Sequence, residues 1–139
     1  MVVGANATLA SNTRYKLTVS VGDRLDSCQG LRVDIGTYGI ELWAGGSVLV
    51  KDDNSLSPPD GEWMTSTILY RSPRSSPLLG PPLDIRLSHV GGLIPGVVNQ
   101  QVCFDYVRLD AVPIPAPGAI LLGGIGVSVA TWLRRRGKL

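Results

Sequence analysis

The stretch TRYKLTVSVG, residues 13–22, decides how this chain folds. Tyr15, Leu17, Val19 and Val21 alternate with Lys16, Thr18 and Ser20, and Gly22 ends the run. Successive side chains of a strand point to opposite faces, so a period of two predicts a strand with one buried and one wetted face. The same period recurs downstream. LDIRLS sets Leu83, Ile85 and Leu87 against Asp84, Arg86 and Ser88, and WMTSTILYR puts Met64, Ser66, Ile68 and Tyr70 on one face. GIELWAGGSVLVKDD reads as two short strands around Ala44-Gly45-Gly46, whose glycines supply the positive φ of a tight hairpin. In QVCFDYVRLDA, Val102 and Phe104 point one way, and Val107 and Leu109 join them only through a bulge near Asp105-Tyr106. LRVDIGTYG gives a weaker strand around Leu31–Ile35. Loops rich in proline and glycine separate these runs, at 55–61, 72–82 and 91–96, and no stretch of the body reads as an amphipathic helix. Six or seven short strands with turn signals predict an all-β, antiparallel β-sandwich over residues 1–110.

Charge divides the chain in two. Four of the 13 basic residues, Arg134, Arg135, Arg136 and Lys138, lie at the end, and all 11 acidic residues precede them. The body is therefore slightly acidic, and the formal charge of +2 comes from the tail. A nucleic-acid partner is excluded, because such binding needs basic side chains clustered on a folded surface and those of the body are dispersed.

The tail, VPIPAPGAILLGGIGVSVATWLRRRGKL, runs from prolines into an uncharged apolar segment. Residues 118–133 predict a single C-terminal transmembrane helix after a proline-rich linker at 111–117, with a basic cytoplasmic tail at 134–139. Sixteen residues reach about 24 Å, short of the roughly 20 residues that a hydrocarbon core of about 30 Å usually takes. Trp132 at the interface and snorkelling arginines would close the gap. Three arginines after the span place this end in the cytoplasm and the body outside. The alternative is a buried C-terminal helix of a soluble protein.

A Pro-x-Pro element, a short Gly/Leu-rich span and an arginine cluster resemble the PEP-CTERM sorting signal of Gram-negative bacteria. Val112, Pro113, Ile114 and Pro115 lie where that family has Val-Pro-Glu-Pro, with Ile114 in place of the Glu, and Arg134, Arg135 and Arg136 form the basic end. The resemblance implies export, an exosortase-type processing enzyme as partner, and inner-membrane anchoring before release to the cell surface. MVVGANATLASNTRYK has neither the basic nor the apolar region of a leader. An N-terminally truncated chain is therefore expected; the alternative is a tail-anchored protein.

The order of the strands carries a second resemblance. Thr13–Gly22, Ile40–Gly46, Trp63–Tyr70, Pro82–Leu87 and Val102–Leu109 follow one another as in the galactose-binding-like jelly roll, a carbohydrate-binding-module-like domain of secreted bacterial proteins. Such domains carry a strand before the Thr13–Gly22 one, and this chain is expected to lack it. The resemblance also implies a structural calcium with Asp105 as its last-strand ligand, unless Asp105 only steadies the bulge. Calcium would take six to eight hard oxygen ligands.

Other residues invite chemistry. His89 is the single histidine and, with only two cysteines, leaves no usual zinc ligand set. No G-x-S-x-G frames a nucleophile, and nothing around Glu41 and Glu62 marks them as an acid pair. Cys28 and Cys103 would be free to pair in an exported domain. Asp52-Asp53-Asn54 is either an oxygen cluster or a polar turn. Trp43, Trp63, Tyr38 and Tyr70 either form a glycan-binding platform or pack in the core.

The function expected is that of a non-catalytic cell-surface or matrix protein with a sorting tail that binds glycan or exopolysaccharide, its partners being the membrane, the processing enzyme and polysaccharide. The alternatives are a fragment of a glycan-active secreted enzyme, or an assembly subunit pairing through strand edges.

Overall fold

A computed structural model of the chain describes residues 1–23, 36–90 and 101–115. These residues form β1 (Val2–Thr8), β2 (Thr13–Gly22), β3 (Thr37–Ala44), β4 (Ser47–Asp53), β5 (Trp63–Arg71), β6 (Pro82–Val90) and β7 (Cys103–Pro113). All pairings are antiparallel. One sheet has the order β1-β6-β3-β4 and the other β5-β2-β7.

The period of two in the sequence becomes the core. Tyr15, Leu17, Val19 and Val21 on β2 are at most 1% exposed, while Arg14 and Lys16 lie in solvent. Tyr38, Ile40, Leu42 and Ala44 of β3 and Leu83, Ile85 and Leu87 of β6 share the same buried cluster. Ser66 and Ile68 of β5 are buried as well. Tyr38 of the four-stranded sheet meets Phe104 of the three-stranded sheet edge to face, with ring centroids 6.1 Å apart. The two sheets therefore face each other across one interior.

Both local breaks foreseen in the sequence occur. Ala44 pairs with Ser47, and Gly45 and Gly46 between them have φ of 55° and 79°, the double positive φ of a two-residue hairpin turn. On β7, Thr18 pairs with Arg108 but Ser20 with Asp105. Two residues of β7 thus oppose Val19 alone, which is a β-bulge. Tyr106 takes the positive φ of 49° there. The extra residue brings Val107 and Leu109 against the core beside Phe104.

Two boundaries differ from the expectation. A strand does precede Thr13–Gly22: β1 pairs with β6, Val2 opposite Arg86 and Thr8 opposite Pro82. VVGANAT has no alternation of its own, so its strand state comes from the edge that β6 offers it. At the other end, β7 continues beyond residue 110. Val112 pairs with Arg14 and Pro113 with Thr13, and the Ile114 N–H donates to the Asn12 carbonyl at 2.8 Å. Val112 and Pro113 are thus sheet, not linker. Among the described residues no helix is long and apolar enough to cross a membrane. The helix expected over 118–133, the arginines 134–136, the strand at 31–35 and Cys28 all lie outside the described residues.

The two ends of the sandwich differ. One is closed by Ser72, whose Oγ accepts from the Thr13 N–H at 2.8 Å and donates to the Ala10 carbonyl at 2.6 Å. There the Ala10 N–H also donates to the Tyr15 hydroxyl at 2.7 Å. From the other end leave the β2–β3, β4–β5 and β6–β7 connections.

Truncating the β2 core should read out in stability. Leu17→Ala is expected to cost about 2–5 kcal/mol, whereas Leu69→Ala on the outer face of β5 should stay within about 0.5 kcal/mol. Equilibrium urea unfolding of the two variants measures the difference.

Candidate functional site

The candidate site lies where the sheets meet along β4 and β5. A depression of about 430 Å³ opens there, with Val50, Leu56 and Ile68 as apolar wall and Asp52, Ser55 and Ser66 as polar groups. That volume suits a small organic molecule, and Lys51, Asp53, Thr65 and Thr67 also line the depression, so it is more polar than apolar.

Asp52 is its centre. Oδ1 accepts from the Ser55 N–H at 3.1 Å, and Oδ2 from the Ser55 hydroxyl at 2.9 Å. The Ser66 hydroxyl of β5 also donates to Oδ2, tying the edge of one sheet to the edge of the other. The first two bonds build a turn, which positive φ at Asn54 continues. Asp52-Asp53-Asn54 is thus a polar turn whose first carboxylate faces a cavity.

Tyr38 supports it from inside. It is 2% exposed, its N–H donates to Asn54 Oδ1 at 3.1 Å, and its hydroxyl accepts from the Leu56 N–H at 2.9 Å. Burial holds the phenol above its ordinary value of 10.0, Ser55 and Leu56 oppose that by hydrogen bonding, and the nearby Asp52 carboxylate adds to it. Tyr38 therefore stays a neutral phenol around neutral pH. A carboxylate with three donors and a neutral phenol behind it can oppose positive charge arising in a bound molecule or take a proton from it.

The other candidate residues are scattered. Tyr38 is core, and Tyr70 lies on the inner face, its ring 6.4 Å from that of Tyr15. Trp43 projects from the opposite side of the four-stranded sheet. Its ring is covered by the Arg86 guanidinium at 3.6 Å, and its Nε1 donates to Glu41 Oε2 at 2.6 Å. Trp63 is half exposed on the outer face of the three-stranded sheet. A Cβ on Gly22 would come within 2.6 Å of its ring, so glycine lets the indole lie flat on β2. These four rings do not share a surface. Glu41 bonds to Trp43, while Glu62 is an exposed loop residue, and His89 is exposed at the end of β6. Asp105 is exposed, and its Oδ1 accepts from the Tyr106 N–H at 2.7 Å, bracing the bulge. Among the described residues no group of three or more His, Cys, Asp or Glu side chains could hold a metal ion. Cys103 pairs in register with Gly22, and its pairing with Cys28 lies outside the described residues.

Sequence reading placed Ser66 on the inner face of its strand but named neither Ser55 nor Ser66 as a site residue. A serine on the buried face of β5, between Met64 and Ile68, is the one signal that could have found the site, because a buried hydroxyl needs a partner.

A family model described as HpiC1-like, HpiC1 cyclase, matches residues 4–110. A cyclase from Fischerella sp. TAU in complex with 4-(1H-indol-3-yl)butan-2-one is similar at 37% identity and a TM-score of 0.70, over 83% of this chain and 57% of that one. The Stig cyclase Fisc of the same organism, in complex with (3Z)-3-(1-methyl-2-pyrrolidinylidene)-3H-indole, is also 37% identical with a TM-score of 0.70, over 82% and 56%. An apo cyclase from Fischerella sp. gives 37% and 0.71, over 83% and 55%. The chain thus spans little more than half the length of these proteins. No protein of curated function matches it.

These findings overturn the reading of the chain as a non-catalytic, glycan-binding surface protein of the PEP-CTERM and galactose-binding-like kind. The match over 4–110 is to cyclases, two of the similar ones hold small indole compounds, and nothing in the matches points to a membrane, an exosortase-type enzyme or polysaccharide. The physical reasons are plain. Strand succession is shared by sandwiches of many functions, and the Pro-x-Pro element taken for a sorting motif begins inside β7.

Tyr38→Phe tests the hydrogen bonding behind the site. It leaves the Leu56 N–H without its acceptor and should cost about 1–3 kcal/mol. A phenol whose value is raised by folding lends stability that is complete below about pH 10 and is lost as pH rises through the raised value. Urea unfolding at pH 8 and above pH 10 should therefore show a steeper alkaline loss in the parent than in Tyr38→Phe.

Proposed function

The chain belongs to the HpiC1-like cyclase family, and from that premise we propose that it forms part of a cyclase that closes a ring in a small indole-bearing molecule. The match of the family model over residues 4–110 carries this reading. The indole compounds held by two of the similar cyclases support the choice of ligand class. The strand order supports a jelly-roll-like sandwich as the scaffold, since every connection except the β3–β4 hairpin passes from one sheet to the other.

Cyclisation joins two atoms of one molecule. The protein must fold its substrate into a reactive shape and stabilise the charge that develops as the bond forms. In this reading the apolar wall of Val50, Leu56 and Ile68 shapes the substrate. Asp52 receives the proton and faces the developing positive charge. Ser55 and Ser66 fix the carboxylate, and Tyr38 acts through Asp52 and the Leu56 backbone as a positioning residue.

Two measurements test this. Titrating the full chain with 4-(1H-indol-3-yl)butan-2-one should give saturable amide shifts in the NMR spectrum centred on Ser55, Ser66 and Ile68; shifts elsewhere, or none, would remove the site. With a substrate of the Fischerella cyclases, Asp52→Asn should lower turnover about 10²-fold or more while the unfolding midpoint moves little. Unchanged turnover would exclude Asp52 as the acid–base group.

A further inference from the structure

A second concave surface lies on the outer face of the three-stranded sheet, toward the closed end of the sandwich, and meets the Asp52 depression at Leu69. It encloses about 630 Å³, lined among others by Arg14, Lys16 and Arg71 with Leu69, Val112 and Asp110. Arg14 of β2 stands directly opposite Arg71 of β5, and Lys16 follows on the same face, between Leu69 and Asp110. Like charges directly opposite each other on neighbouring strands destabilise a sheet.

Asp110 stands opposite Lys16 on this face, and no acid pairs with Arg14 or Arg71 among the described residues. The Asp110 carboxylate is taken by Arg108, whose Nε and Nη2 both reach Oδ1 at 2.9 Å. Arg14, Lys16 and Arg71 have no ion-pair partner among the described residues. Leu69 and Val112 flank them, 61% and 60% exposed. The face thus combines two facing arginines, without an ion-pair partner among the described residues, and Lys16 beside Asp110 with apolar side chains open to solvent.

We propose that this face is a binding site for a small amphipathic anion, whose phosphate or carboxylate head lies between Arg14 and Arg71 while its short apolar chain covers Leu69 and Val112. Guanidinium groups suit such heads, because their planar donors pair with two oxygens at once. A bound anion also removes the repulsion between the two arginines, so both terms favour occupancy.

The test is calorimetric titration of the full chain with hexyl phosphate, inorganic phosphate and hexanol. Hexyl phosphate should saturate one site and bind about tenfold more tightly than either of the others, with affinity falling as salt is raised. Arg14→Gln with Arg71→Gln should weaken it by about tenfold, while Arg14→Lys with Arg71→Lys retains most of the binding. Should the double glutamine variant not fold, each single variant carries the test with a loss of about threefold. Equal binding of hexanol, or undiminished binding by both glutamine variants, would overturn the proposal. Binding to phosphatidylglycerol vesicles without any to soluble hexyl phosphate would assign the face to a membrane surface instead and overturn it as well.

Discussion

The structure depends on the register of β2. This strand is the middle of its sheet, pairing with β5 from Arg14–Arg71 to Gly22–Trp63 and with β7 from Thr13–Pro113 to Gly22–Cys103. A slip of one residue on either side would turn Leu17 and Val19 to water and bring Lys16 and Thr18 inside. Each buried aliphatic side chain is worth roughly 1.5–3 kcal/mol, and an unpaired buried ammonium would cost several more. Four apolar residues at a spacing of two therefore fix not one strand but three. The opposite sheet follows, since Ile40, Leu42, Leu83, Ile85 and Leu87 complete the same interior.

That constraint explains the bulge. β7 has to match a partner of strict alternation, yet its own apolar residues run Phe104, Val107 and Leu109, with an interval of three and then of two. One extra residue resolves the conflict. The positive φ at Tyr106 is the cost, typically about 1–3 kcal/mol for a non-glycine residue, and the Tyr106 N–H bond to Asp105 offsets part of it.

Much of this was legible and some was not, for definite reasons. The inward faces of β2 and β6, the Gly45-Gly46 hairpin and the Asp105-Tyr106 bulge follow from periods and turn chemistry, which are local. β1 escaped because VVGANAT is a strand only by virtue of β6. The end of the sheet was set too early because a Pro-x-Pro element reads as linker, although Pro113 closes an outer strand, where a missing N–H is tolerated. The site escaped for a different reason. Asp52, Ser66 and Tyr38 belong to three strands and two sheets, and only tertiary pairing joins them. Aromatic residues drew attention instead, but Trp43, Trp63, Tyr38 and Tyr70 do not share a surface. The cyclase family was missed because a lone carboxylate among serines has no sequence signature like that of a metal or nucleophile motif.

The position of the slot has a physical logic. In a sandwich, side chains of both sheets meet either in the core, where polar groups are costly, or along the seam between two edge strands. Only at the seam can a carboxylate keep water on one side and an apolar wall on the other. The Ser66–Asp52 bond spans that seam and holds it at a fixed width, and Tyr38, wedged against Phe104, prevents it from collapsing inward. The same bond bears on the edges themselves. β4 and β5 each leave backbone groups free for pairing with another chain, and charged Lys51 and Asp53, paired to each other on β4, make that edge a poor template. The opening thus follows from where the two sheets fail to join, and its charged edge discourages a pairing strand.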